Sequence, residues 1–83
     1  MKKIEEKLKQ LLGELAPQSK EIAVTEQTNL IDDLGFDSIM MMEFVVEIED
    51  SFDVVIEGED LNVETISNFG NLISLIFERS RHE

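Results

Sequence analysis

The sequence predicts a small all-α domain of three main helices and one short one. Three observations carry that prediction. Apolar residues recur at helical spacing in three stretches, about 2–15, 38–52 and 66–77. Only 52–56 reads as β-like, and it is short. With 83 residues and no cysteine, the chain builds one core from local contacts, without disulfides or a thiolate metal site. The whole of 1–83 therefore reads as a single domain, ordered over about 2–78 with a flexible tail at 79–83.

The first helix rests on Ile4, Leu8, Leu11, Leu12 and Leu15, an amphipathic stripe that Pro17 closes. From 16 to 36 no period persists. Ile22, Val24, Leu30, Ile31, Leu34 and Phe36 are spaced like anchors of a long loop pressed onto a core. Structureless loops of that length are uncommon in compact domains and are usually functional. Helicity resumes near Ser38, with Asp37 or Ser38 as N-cap, and runs to Phe52. A second loop follows over 53–58, then a short helical turn over 59–62. Thr65 caps a last helix carrying Ile66, Phe69, Leu72, Ile73, Ile76 and Phe77, which Gly70 weakens by about 1 kcal/mol relative to alanine.

Charge is unevenly distributed. The net charge is −12, and all seven basic residues lie in 1–20 or 79–83. Between Glu21 and Glu78 there are fifteen acids and no base. Such a chain repels nucleic acid and anionic membrane. Solubility explains part of the excess; a partner with a basic surface explains its concentration. Met-Lys-Lys opens the chain with no long apolar stretch behind it, so neither a signal peptide nor a membrane span is expected, and the expected location is cytoplasmic.

The helix after Ser38 has two apolar arcs at about 100° per residue. Met41, Phe44, Val45, Ile48 and Phe52 suffice for a core face, with Met40 at its boundary. Ile39, Met42 and Val46 lie nearly opposite, flanked by Glu43, Glu47, Glu49 and Asp50. A small helical domain needs one buried face per helix. Either a neighbouring loop or the short helix covers the second stripe, or the stripe docks a partner whose apolar groove is rimmed by Arg and Lys.

Ser38 itself is poorly equipped for catalysis. A nucleophilic serine needs a base and oxyanion donors. The single histidine is His82, in the charged tail, and no GxSxG elbow is present. Asp32 and Asp33 are adjacent acids on a loop, an ordinary solvated pattern. The acids of 50–61 lack the order of a calcium loop. Two readings of Ser38 remain: a plain N-cap, or a hydroxyl acted upon by another enzyme. A phosphodiester there would meet the positive end of the helix.

The run Asp32-Asp33-Leu34-Gly35-Phe36-Asp37-Ser38-Ile39, after a long loop and before an acidic helix, resembles the D-L-G-x-D-S-L signature of acyl carrier proteins. Length, charge and helix order extend the resemblance over essentially the whole chain and imply that family's four-helix bundle. It also implies a 4′-phosphopantetheine arm on Ser38, installed from coenzyme A by a phosphopantetheinyl transferase, with Asp37 part of the signature the transferase reads. The arm's thiol would carry acyl groups as thioesters, and the chain would have no catalysis of its own. By the same resemblance Ile39, Met42, Glu43, Val46, Glu49 and Asp50 match positions that contact acyl-loading, condensing and other acyl-processing enzymes with basic surfaces. A monomer is expected.

Several residues depart from the pattern of bulk fatty-acid carriers. Ile39 stands for leucine, Met40 for an aspartate, and the proline usual near Glu57 is absent. Asp60-Leu61 and Thr65-Ile66 look closer to carriers of polyketide or other specialised pathways. Gly35-Phe36-Asp37 does not resemble the approach to the serine in peptidyl carriers, so acyl cargo is expected over aminoacyl cargo. The rival from another class is an acidic helical interaction or regulatory protein that lacks the arm.

Overall fold

The computed structural model describes residues 2–80. Its order is α1 (Lys2–Leu15), a 3₁₀ turn (Pro17–Glu21), α2 (Ser38–Phe52), a 3₁₀ turn (Gly58–Asp60), α3 (Val63–Ile66) and α4 (Phe69–Arg79). The fold is the expected all-α one, with three main helices and a short one. The described residues contain no strand, only a lone bridge between Asn29 and Asn68.

α1 turns Leu8 and Leu12 into the core, and Ile4, Leu11 and Leu15 pack at its edge. Pro17 stops the helix and opens the 3₁₀ turn, where its fixed φ suits a first-turn position. α2 contributes Met41, Phe44, Val45 and Ile48, all buried, with Met40 and Phe52 half-buried against them. From α4 come Phe69, Leu72, Ile73, Leu75 and Ile76. Phe77 is exposed, so the stripe expected for the last helix is one residue too long.

The short helix lies later than the sequence suggests. A 3₁₀ turn occupies Gly58–Asp60, and α3 follows at Val63–Ile66. Asn62 caps α3 through its side-chain oxygen, which accepts the Glu64 N–H at 2.9 Å. Thr65 is therefore inside α3 and caps nothing, and Ile66 belongs to α3 rather than to the last helix. The α4 cap is Asn68, which accepts the Asn71 N–H at 2.8 Å. Both asparagines satisfy N–H groups that a helix start leaves unpaired.

The long loop has its own hydrogen-bond scheme. The Gly70 and Phe69 N–H groups donate to the Glu26 and Thr28 carbonyls, at 3.1 and 2.9 Å, and Leu30 N–H donates to the Ser67 carbonyl at 2.7 Å. The loop thus lies strand-like along the α3–α4 junction. Leu30, Leu34 and Phe36 anchor it in the core, whereas Ile22 is exposed. A turn then folds 29–36. Asn29 Oδ1 accepts from the Ile31 and Asp32 N–H groups, and Asp33 Oδ2 accepts from Asn29 N–H at 2.8 Å. Asp33 is consequently a turn-forming residue rather than a merely solvated one. Gly35 leaves this turn at φ +76°, a region that costs glycine little.

Two cations from the chain's ends fold back onto acidic or electronegative segments. Lys7 donates to the Ser51 carbonyl at 2.6 Å and lies 5.0 Å from the Phe52 ring centroid, at the negative end of α2. Arg79 grips Asp60 with bonds of 2.6 to 3.0 Å. The helix thus runs one residue past the expected boundary at 78, and Arg79 is not part of a loose tail. Residues 81–83 lie outside the described residues.

Gly70 explains itself in this scheme. A Cβ there would stand 2.8 Å from the Glu26 carbonyl oxygen, a backbone atom, and 3.0 Å from Glu26 Cβ. Gly70→Ala should destabilise by about 1–3 kcal/mol, although alanine is the better helix former. Gly58→Ala, with nothing within 4 Å of the new methyl, is the control and should stay within about 0.5 kcal/mol. Urea melts of the two variants check this; equal midpoints would remove the close-approach account.

Candidate functional site

The turn at 29–36 delivers the chain to α2. Phe36 is buried and meets the Phe44 ring edge-on at 6.1 Å between centroids, within the second turn of α2. Asp37 then adopts extended backbone and caps the helix. Its Oδ1 accepts the Met40 N–H at 2.8 Å, and its carbonyl accepts the Met41 N–H. Of the two cap candidates Asp37 is the cap, and Ser38 is the first helical residue.

That placement leaves the Ser38 hydroxyl unengaged. Ser38 is exposed, and its Oγ makes no hydrogen bond among the described residues. The N–H groups of Ser38 and Ile39, the first two of the helix, also lack a protein acceptor among those residues. A phosphate on Oγ would sit where orphan donors and the helix dipole both favour an anion. No histidine lies among the described residues, so none of them places an imidazole beside the hydroxyl to take its proton.

Below Ser38 runs an open groove of about 700 Å³, lined by Leu15, Ser38, Ile39, Met42, Glu43, Val46 and Glu47. Ile39, Met42 and Val46 are 69, 46 and 51% exposed, so neither loop nor short helix covers the second stripe. Glu43, Glu47 and Asp50 are exposed beside it. Glu49 differs: it is half-buried, and its Oε2 accepts the Ile56 N–H at 2.9 Å, fastening the loop after α2. The helical wheel found the stripe on α2 but missed Leu15, because a single-helix projection contains no neighbouring helix. It also could not show that Glu49 bends away to the 53–57 loop.

The start of α2 thus combines an exposed, unpaired hydroxyl, an adjoining apolar groove and exposed carboxylates. Residues 3–73 match the family described as the phosphopantetheine attachment site. Proteins named acyl carrier protein are similar to the chain in Exiguobacterium (40% identical over 53 residues, 64% of this chain and 65% of the relative) and Thermotoga maritima (43% over 56 residues, 68 and 67%). A third, from Lactobacillus acidophilus, is 34% identical over 70 residues, 84% of each chain. The match thus spans just under two thirds of the Exiguobacterium relative's length and more of the other two. The chain belongs to the acyl carrier protein family. It is a non-catalytic carrier, and its prosthetic group is covalent 4′-phosphopantetheine. No described helix is long and apolar enough to cross a membrane.

The cap and the loop fastening separate stability from recognition. Asp37→Ala should cost about 1 kcal/mol by removing the N-cap acceptor, and Ser38→Ala should stay within about 0.5 kcal/mol. Glu49→Ala should cost about 1–3 kcal/mol by leaving the Ile56 N–H without its partner, whereas Glu43→Ala and Asp50→Ala should be near neutral. Chemical denaturation of the five variants gives the ranking; a Ser38→Ala loss matching Asp37→Ala would return the cap to Ser38.

Proposed function

We propose that Ser38 is the attachment point and that the chain carries acyl groups between the enzymes of a biosynthetic pathway. The observation that carries this reading is the free Ser38 hydroxyl at the first position of α2, bordering the apolar groove. The family membership supplies the prosthetic group; the geometry supports this serine as its site. In the transfer, Ser38 Oγ loses its proton to the transferase and bonds to the phosphorus of the phosphopantetheinyl half of coenzyme A, and adenosine 3′,5′-bisphosphate leaves. The group, once attached, supplies the thiol on which cargo is held as a thioester.

Each neighbouring residue then has a part. Asp37 fixes the start of α2, which sets where Ser38 is presented, and its exposed carboxylate is available to the transferase. Ile39, Met42 and Val46 form the apolar strip, and Glu43 and Asp50 form an anionic rim for basic partners. Glu49, read from sequence with the rim, contributes charge there while holding Ile56. The reading extends to a cytoplasmic, monomeric carrier. The cargo is acyl rather than aminoacyl, and a specialised pathway is favoured by Met40 and by the segment 60–66.

Incubation with coenzyme A and a promiscuous phosphopantetheinyl transferase should add one phosphopantetheine by intact mass, and Ser38→Ala should abolish the addition. Modification of the alanine variant would overturn the assignment, and an unmodified wild type would favour the acidic interaction protein instead. Met42→Ala and Glu43→Lys should slow the reaction while leaving far-ultraviolet circular dichroism unchanged. Raising salt should slow it further, since rim charges act chiefly on encounter. A salt-independent rate would mean that apolar contact, rather than charge, drives the association.

A further inference from the structure

Lys9, Lys20 and Ile22 have no part in the Ser38 site, and Ile22 is 42% exposed on a loop whose other apolar residues anchor the core. The three meet in one place. A depression of about 430 Å³ between α1 and the first 3₁₀ turn has Lys9, Leu12, Ser19, Lys20, Ile22 and Val24 in its lining. No carboxylate lines it, whereas Glu43 and Glu47 line the groove beside Ser38.

Its polar groups are available. The Lys20 stem crosses α1 at Gly13, where an added Cβ would stand 2.8 Å from Lys20 Cε. The stem is thus laid against the helix while the residue stays exposed. Lys20 pairs with no carboxylate among the described residues. Lys9 meets Glu5 at 3.4 Å, a solvent-facing pair that a competing carboxylate can exchange. Ser19 is only 4% exposed, yet its hydroxyl has no hydrogen-bond partner among the described residues. Two ammonium groups and a free hydroxyl therefore stand over an apolar floor of Leu12, Ile22 and Val24. That donor set suits carboxylates carried beside aliphatic groups. The net charge of −12 opposes such a ligand at a distance. Screening limits that reach to about 8 Å at physiological salt, so the local sign decides.

The depression lies round α1 from the Ser38 groove. Leu11 and Leu15, which face the α2 side, are about 160° and 120° away from Lys9 on the helix. We propose that this depression is a second docking face, for a segment of a partner protein in which Asp or Glu stands beside aliphatic residues. A segment of chain, rather than a free acid, supplies acceptors for both ammonium groups and for the Ser19 hydroxyl. The face is opposite in charge to the one on α2, so the two select different partners. A carrier held through α1 keeps Ser38 and α2 open to other enzymes. Nothing in this proposal depends on Ser38 being the attachment point.

The test titrates the full chain, nitrogen-15 labelled, with an acetylated and amidated hexapeptide of alternating glutamate and leucine. Amide shifts should be largest at Lys9, Leu12 and 19–24, and absent over 39–50. Lys9→Gln combined with Lys20→Gln should weaken binding about fivefold, as two exposed ion pairs predict. Ser19→Ala should weaken it as well, with circular dichroism unchanged in both variants. Ser38→Ala should bind the peptide like the wild type, which keeps this result separate from the attachment reading. Several outcomes would overturn the proposal: no shift at millimolar peptide, shifts centred on 39–50, or unchanged affinity in the double lysine variant. Equal shifts from a glutamine–leucine hexapeptide would do the same, by removing the role of charge. Sodium octanoate reproducing the shifts where the acidic peptide gives none would assign the depression to a free acid and defeat the protein-partner reading.

Discussion

The chain between α1 and α2 has no regular element over most of its length, yet its backbone groups still need partners. It finds them at the α3–α4 junction, where Gly70, Phe69 and Ser67 exchange backbone bonds with Glu26, Thr28 and Leu30. The rest of the site follows from that seam. Leu30 is held there, the Asn29–Asp33 turn reverses the chain, and Phe36 enters the core against Phe44. Asp37 arrives in the extended conformation that a cap requires. A four-residue α3 is too short to be stable alone. Within the seam it fixes where a long loop crosses.

Electrostatics shape the surface that remains. A middle segment with fifteen acids and no base repels itself. Lys7 and Arg79, from opposite ends of the chain, each meet that segment at a defined spot: the end of α2 and the turn at Asp60. Glu43, Glu47 and Asp50 pair with no cation among the described residues, and Glu43 and Glu47 line the groove. Relief of the repulsion is local to the end of α2 and the turn at Asp60, and the proposed docking face keeps its charge.

Much of this was legible in sequence because it is periodic. The stripes of α1 and α2, and the two arcs of α2, follow from spacing alone, and the signature around Ser38 carried the family. The misses share a cause: they depend on what a segment touches. Gly70 looked like a weak helix position until Glu26 was placed against it. Asp33 looked solvated until Asn29 turned toward it. Thr65 was a reasonable cap in isolation, but Asn62 and Asn68 hold the two helix starts through side-chain bonds that no hydrophobic period records. Leu15 joined the groove only when α1 was packed beside α2.

Ser38 occupies the first helical position, and its neighbour makes the cap. Folding therefore does not draw on the Ser38 hydroxyl: attachment there, as proposed, breaks no hydrogen bond of the folded chain and leaves the Asp37 cap in place.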